Sequence, residues 1–236
     1  MKTAAIVCNG QFPRSEYPLY LLRNADVVIC CDGALSALEK RGIVPDAVVG
    51  DMDSVCSRAL KRFPGKVVRL DGQDTNDLTK AFDYLMSSMP EDVAAVHILA
   101  ATGRREDHTL GNLALLMDFE KRYGLAARGI SVDMVSDYST ALASCDSTSL
   151  DVGQGRSVSI FSPDATLSIH SEGLRWATDA VCFAAWWQAT LNEATADRIT
   201  LTHEAFSREG LAKGAILAAA FLVGKTGVFT MDDLLG

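Results

Sequence analysis

The strongest constraint on the fold is an alternation running from Thr3 to Gly124, in which short apolar, β-rich runs take turns with longer stretches of helical character. The runs are Ala4 to Cys8, Val27 to Cys31, Ala47 to Val49, Val67 to Leu70 and Val93 to Leu99. Runs this short and continuous suit strands buried on both faces, and helices between them let neighbouring strands pair in parallel. Five βα units and a parallel sheet are therefore predicted. The clearest helices run from about Asp77 to Ser88 and from about Asp107 to Tyr123, each opening with an acid at the positive end of its dipole.

After Gly124 the pattern becomes strand-like, in Ser131 to Val135, Ser157 to Phe161, Thr166 to His170 and Ile199 to His203, separated by Gly, Ser, Asp and Pro. The fold class predicted is an α/β domain with a parallel sheet over residues 1–127, followed by an all-β antiparallel sandwich over 128–236 that ends in a helix. That last helix is read from Leu211 to Val223, which has the composition of a buried helix and is too short to span a bilayer.

A chain of 236 residues with 48% hydrophobic content has ample material for a core. Its net charge of -8 and pI near 5.0 argue against non-specific binding to nucleic acid or anionic membranes, whose phosphates attract basic surfaces. Cys8, Cys30, Cys31, Cys56, Cys145 and Cys182 show no CxxC spacing, and four sit in or beside apolar runs. They read as buried thiols of a reducing cytosol. Ala4 to Val7 reads as a first strand rather than a signal sequence, which gives a cytoplasmic expectation.

In a parallel sheet the loops at the carboxyl ends of the strands form the crevice where ligands bind. Asp32 follows the second run, Asp51 and Asp53 the third, Asp74 the fourth, and Arg104, Arg105 and Asp107 the fifth. Four loops thus converge on one rim. Desolvating clustered carboxylates costs several kcal/mol per ion unless a cation is present. Oxygen ligands without a His or Cys cluster suit a hard ion such as Mg2+, which keeps waters and bridges to nucleotide phosphates. Neither GxxxxGK[ST] nor GxGxxG occurs, so phosphate falls to the metal, Lys80 and the arginines.

Each acid taken singly also has a structural reading. Asp77 and Asp107 open helices, a role worth about 0.5 to 2 kcal/mol as a cap. His108 reads as a helix-start residue, and Arg58, Lys61 and Arg62 as a solvated helix face. Trp176, Trp186 and Trp187 could wall a cationic aromatic ligand or fill a β core, and the adjacent pair would point to opposite faces of a strand.

Gly50-Asp51-Met52-Asp53-Ser54, Asp74 to Lys80, and Gly103 to His108 with Asn112 resemble, in order and spacing, the signatures of thiamine pyrophosphokinase. The resemblance extends to Asn9-Gly10, Asp32-Gly33-Ala34, Gly173-Leu174-Arg175-Trp176 and Asn192-Glu193, over roughly residues 3 to 200. It implies a homodimer with active sites formed between subunits, an N-terminal catalytic domain and a C-terminal thiamine-binding sandwich. It also implies a reaction in which the thiamine hydroxyl attacks the β-phosphorus of ATP, giving thiamine diphosphate and AMP with Mg2+ required. By the same resemblance Asp51, Asp53 and Asp74 bind metal and phosphate, and Asp77, Arg105 and Asp107 complete the catalytic set. Asp32, Lys80, His108, Asn112, Trp176 and Asn192 are expected to contact substrate, and Asp74 or Asp53 would accept the hydroxyl proton.

Two positions depart from the family pattern. Asn76 stands where Thr is usual and keeps a capping side chain, whereas Leu191 replaces the usual Ser hydroxyl with an apolar group. The run from about Ile199 to Gly236 instead resembles the C-terminal segment of dihydrodipicolinate reductase, without that enzyme's cofactor fingerprint. The alternatives to the kinase are a Mg2+-dependent phosphohydrolase and a non-catalytic binding or assembly protein.

Overall fold

The structure is a computed structural model that describes residues 1–55, 57–72, 74–88 and 92–204. It divides into two compact units, Met1–Cys145 and Asp146–Gly236. The tail helix read at Leu211 to Val223 lies outside the described residues.

In the first unit, β1 (Lys2–Val7), β2 (Val27–Cys31), β3 (Ala47–Gly50), β4 (Lys66–Arg69), β5 (Val93–Leu99) and β6 (Ser131–Val135) pair in parallel, and β7 (Thr140–Leu142) adds antiparallel to β6. The order across the sheet is β4-β3-β2-β1-β5-β6-β7. The direction of strand addition therefore reverses between β1 and β5, which is where an open α/β sheet forms its ligand crevice.

Alternation along each strand fills both faces. Ala4 and Ile6 of β1, Ile29 and Cys31 of β2 and Val96 and Ile98 of β5 share one apolar cluster with α4 (Asp77–Ser88) and α5 (Glu106–Tyr123). Phe82 of α4 stacks on Phe119 of α5, ring centroids 3.9 Å apart. Ala5, Val7, Val28 and Cys30 join the opposite cluster with α1 (Glu16–Asn24), α2 (Leu35–Glu39) and α3 (Ser57–Arg62). The result is a three-layer α/β/α unit with helices on both faces of the sheet.

The expected boundary near Ala127 is corrected. Ser131–Val135 is a strand, but its residues pair in parallel with Ala95 to Leu99, so the first sheet continues past that point. Local apolar pattern marks a strand without naming its partner, so the sequence alone does not join β6 to the first sheet.

In the second unit, β8 (Thr148–Asp151), β10 (Ser168–Glu172) and β12 (Arg198–Glu204) form an antiparallel sheet in the order β10-β12-β8, and β9 (Ser157–Ile160) pairs with β11 (Ala189–Glu193). Both sheets contribute to a small core around Ile169, Phe183 and Ala189. Among the described residues no helix is long and apolar enough to cross a membrane. Cys8, Cys30 and Cys31 are buried, whereas Cys145 and Cys182 are exposed, so the expectation of buried thiols holds for the first three.

Candidate active site

Asp32 is the most deeply placed acid of the rim, 1% exposed at the end of β2. Its carboxylate accepts from Gly33 N–H at 2.5 Å and from Ser54 N–H at 3.3 Å. Two glycines make room for this packing. A Cβ on Gly50 would stand 2.9 Å from Asp32 Cγ, and one on Gly33 would overlap the Asn9 amide. Chain from β1, β2 and β3 is thus drawn together at one end of the sheet.

The loop after β3 turns through Met52, whose φ of +71° is left-handed. Such a conformation costs about 1–2 kcal/mol for a side chain with a Cβ, so the surrounding structure must hold it. The turn lets Asp53 N–H donate to Asp51 Oδ1 at 3.1 Å. That bond, with Lys80 nearby, holds the Asp51 carboxyl below its usual range.

Lys80 projects from the first turn of α4 and is only 6% exposed, an unusual state for a lysine unless it is paired. Its Nζ lies 3.7 Å from Asp51 and 3.8 Å from Asp77. Burial and the neighbouring Asp32 charge push the Asp77 carboxyl up despite this ammonium. The rim therefore holds more negative charge than Lys80 offsets, which is the electrostatic setting for an additional cation.

Asn76 caps α4, its Oδ1 accepting from Thr79 N–H and the Thr79 hydroxyl, both at 2.9 Å. The helix-capping role expected of Asn76 is met, and Asp77 is left free of it. Asn76 Nδ2 donates to Asn112 Oδ1 at 3.0 Å, and Asn112 Nδ2 donates to the Ala101 carbonyl at 2.7 Å. Buried Asn112 thereby ties the loops after β4 and β5 together.

Other expected residues stand apart. Asp74 is exposed and makes no hydrogen bond or ion pair among the described residues. Arg105 and Asp107 are exposed and engage each other, with bonds of 3.1 and 2.6 Å. This pairing depresses the Asp107 carboxyl and raises the Arg105 guanidinium. His108 is exposed in the first turn of α5. Arg58, Lys61 and Arg62 are exposed on α3, as expected of a solvated face. Among the described residues no group of three or more His, Cys, Asp and Glu side chains is placed to hold a metal.

The second unit has its own cleft of about 180 Å³, lined by Trp176, Thr178, Val181, Gln188, Leu191 and Asn192 among others. Asn192, 6% exposed, accepts from Trp176 N–H at 3.1 Å and donates to the Trp176 carbonyl at 2.7 Å. It fixes the Trp176 backbone, while the residue as a whole stays 58% exposed. Trp186 and Trp187 lie in a turn rather than a strand and are both more than half exposed, so the opposite-faces expectation does not apply. Leu191 is 85% exposed with a left-handed φ of +60°.

Residues 19–125 match the family model described as thiamin pyrophosphokinase, catalytic domain, and residues 141–206 match thiamin pyrophosphokinase, substrate-binding domain. Residues 184–235 also match the C-terminus of dihydrodipicolinate reductase. A thiamine pyrophosphokinase of Bacillus subtilis is 34% identical over 123 residues, 49% of this chain and 55% of that protein. A 4-hydroxy-tetrahydrodipicolinate reductase of Christiangramia forsetii is 54% identical over 43 residues, 18% of each chain. The chain thus spans about half the length of the curated kinase and less than a fifth of the curated reductase. In fold, the crystal structure of thiamine pyrophosphokinase from Bacillus subtilis aligns with a TM-score of 0.67 at 21% identity, over 86% of this chain and 94% of that one. The chain thus matches, in order, the catalytic and the substrate-binding models of one family, thiamin pyrophosphokinase.

Proposed function

We propose that the chain is a thiamine pyrophosphokinase, transferring a pyrophosphoryl group from ATP to the thiamine hydroxyl and releasing AMP. The observation that carries this reading is the gathering of Asp32, Asp51, Asp77 and Lys80 at the carboxyl ends of β2 and β3 and the start of α4. Phosphoryl transfer asks a protein mainly for positioning and charge neutralisation, which this rim is built to supply. The two family models, in catalytic then substrate-binding order, support the same reading.

Mg2+ is part of the proposal. The chemistry of the donors fits it, because Mg2+ is characteristically held by one or two carboxylates plus substrate phosphates rather than by a protein cage. Asp51 and Asp53, on the strained turn after β3, would hold the ion with Asp32 behind them. Bound there, it would neutralise and orient the phosphate oxygens. Lys80 fixes the Asp51 and Asp77 carboxylates from below, and Asn112 keeps the loops after β4 and β5 in register. Asp77, whose affinity for a proton the fold raises, is better suited to receive the hydroxyl proton than exposed Asp74.

ATP as nucleotide, a homodimer with sites shared between subunits, and a cytoplasmic location belong to the same proposal. Five free cysteines among the described residues agree with a reducing compartment. Reductase chemistry is not proposed, since the reductase match covers only a short C-terminal piece. The test is Asp51→Asn, which should lower turnover by orders of magnitude while melting stays as in the parent. Parent-like turnover would count against the reading.

A further inference from the structure

We infer that Arg104, held in place by Asn9, is the guanidinium that grips the nucleotide polyphosphate; this rests on the kinase reading above. The loop after β5 offers two adjacent arginines, both exposed. They differ in what holds them. Arg105 forks onto the Asp107 carboxylate, so its charge is balanced within the loop. Arg104 donates from Nη1 to Asn9 Oδ1 at 3.0 Å, and among the described residues it forms no ion pair. A neutral amide orients a guanidinium without cancelling its charge.

Asn9 is a firm anchor. It follows β1, its amide packs where a Cβ on Gly33 would be, and the chain beyond it is stitched to the loop after β5. Gly10 N–H donates to the Ala100 carbonyl at 2.6 Å and Gln11 N–H to the Thr102 carbonyl at 2.8 Å. Arg104 therefore stands between the β1 and β5 loops, at the reversal of strand order where the crevice opens.

The charge distribution of the rim favours this assignment. Asp32, Asp51, Asp53 and Asp77 repel a polyphosphate, and the ammonium of Lys80 is occupied by Asp51 and Asp77. Within the loop after β5, where Arg105 is paired with Asp107, Arg104 is the cation whose charge is left over. Its remaining N–H groups form the planar fork that matches phosphate oxygens, and bonds between charged partners are the stronger kind.

The experiment uses the full chain in two assays: steady-state kinetics in ATP with thiamine and Mg2+ saturating, and calorimetric titration with inorganic triphosphate. Arg104→Gln removes the charge. Asn9→Asp keeps the shape of the anchor but sets a carboxylate against the guanidinium. Both should raise KM for ATP and weaken triphosphate binding by about tenfold or more. KM for thiamine and the melting temperature should stay put, and Arg104→Lys should restore part of the loss. Parent-like KM for ATP and triphosphate affinity in Arg104→Gln and Asn9→Asp would overturn the assignment, as would a parent chain that binds no triphosphate. If the parent makes no thiamine diphosphate yet binds triphosphate and both variants lose it, the kinase reading fails while Arg104 keeps its role.

Discussion

The Asp32 carboxyl carbon lies 2.9 Å from the place a β-carbon on Gly50 would take. Asp32 is buried and bonded to Gly33 and Ser54, so it has no free direction in which to yield. Gly50→Ala should therefore destabilise the first unit by about 1–3 kcal/mol through overpacking. It should also cut turnover well beyond what unfolding explains, because the displaced group is part of the acidic rim. Melting and turnover measured on the same preparation check this. Loss of stability with full turnover per folded molecule would mean that Asp32 has no part in the chemistry.

Lys80 sits between Asp51 and Asp77 and lowers the proton affinity of both. Lys80→Met keeps most of the buried stem and removes the ammonium. Asp77 is already raised by burial and by Asp32, so loss of the cation should raise it further, and Asp51 should rise from its depressed value. Side-chain carboxyl titration by NMR should show both midpoints moving to higher pH, with ATP turnover falling at least tenfold. Unmoved midpoints would mean that Lys80 does not set the charge state of the rim.

How much of this was legible in the sequence depended on the range over which each signal acts. The five apolar runs and the opening of α4 at Asp77 are local patterns, and they reappear as β1 to β5 and α4. The assignment of Ser131–Val135 failed because its partner, β5, is named only by the folded sheet. β7, β8 and β11 are three to five residues long and carry too few apolar positions to stand out. Asp32 and Lys80 were candidates from spacing, yet the burial of Lys80 contradicts the usual behaviour of lysine. The contrast between Arg104 and Arg105 was out of reach, because it depends on Asn9, which lies 95 residues away from Arg104.

Asp137 supplies a pH-dependent tie between distant parts of the first unit. One of its oxygens accepts from Arg14 N–H and Ser15 N–H, both at 2.8 Å, and from the Ser15 hydroxyl at 2.9 Å, just ahead of α1. The Ser15 and Arg14 backbone bonds hold its carboxyl below the usual range. A depressed folded value means that the stabilisation is complete above the unfolded value of about 3.9 and is lost as pH falls through the folded one. Asp137→Asn should thus melt lower than the parent at neutral pH, with the gap closing in acid below about pH 4. A gap that stays constant with pH, or widens in acid, would show that the carboxylate charge is not what ties the turn to α1.

The central claim, pyrophosphoryl transfer at the acidic rim, is tested most directly by mass-resolved analysis of the products formed from ATP, Mg2+ and thiamine. The account predicts thiamine diphosphate and AMP in equal amounts, with neither formed when thiamine is left out. ADP and inorganic phosphate with no thiamine diphosphate would contradict it, as would a complete lack of turnover.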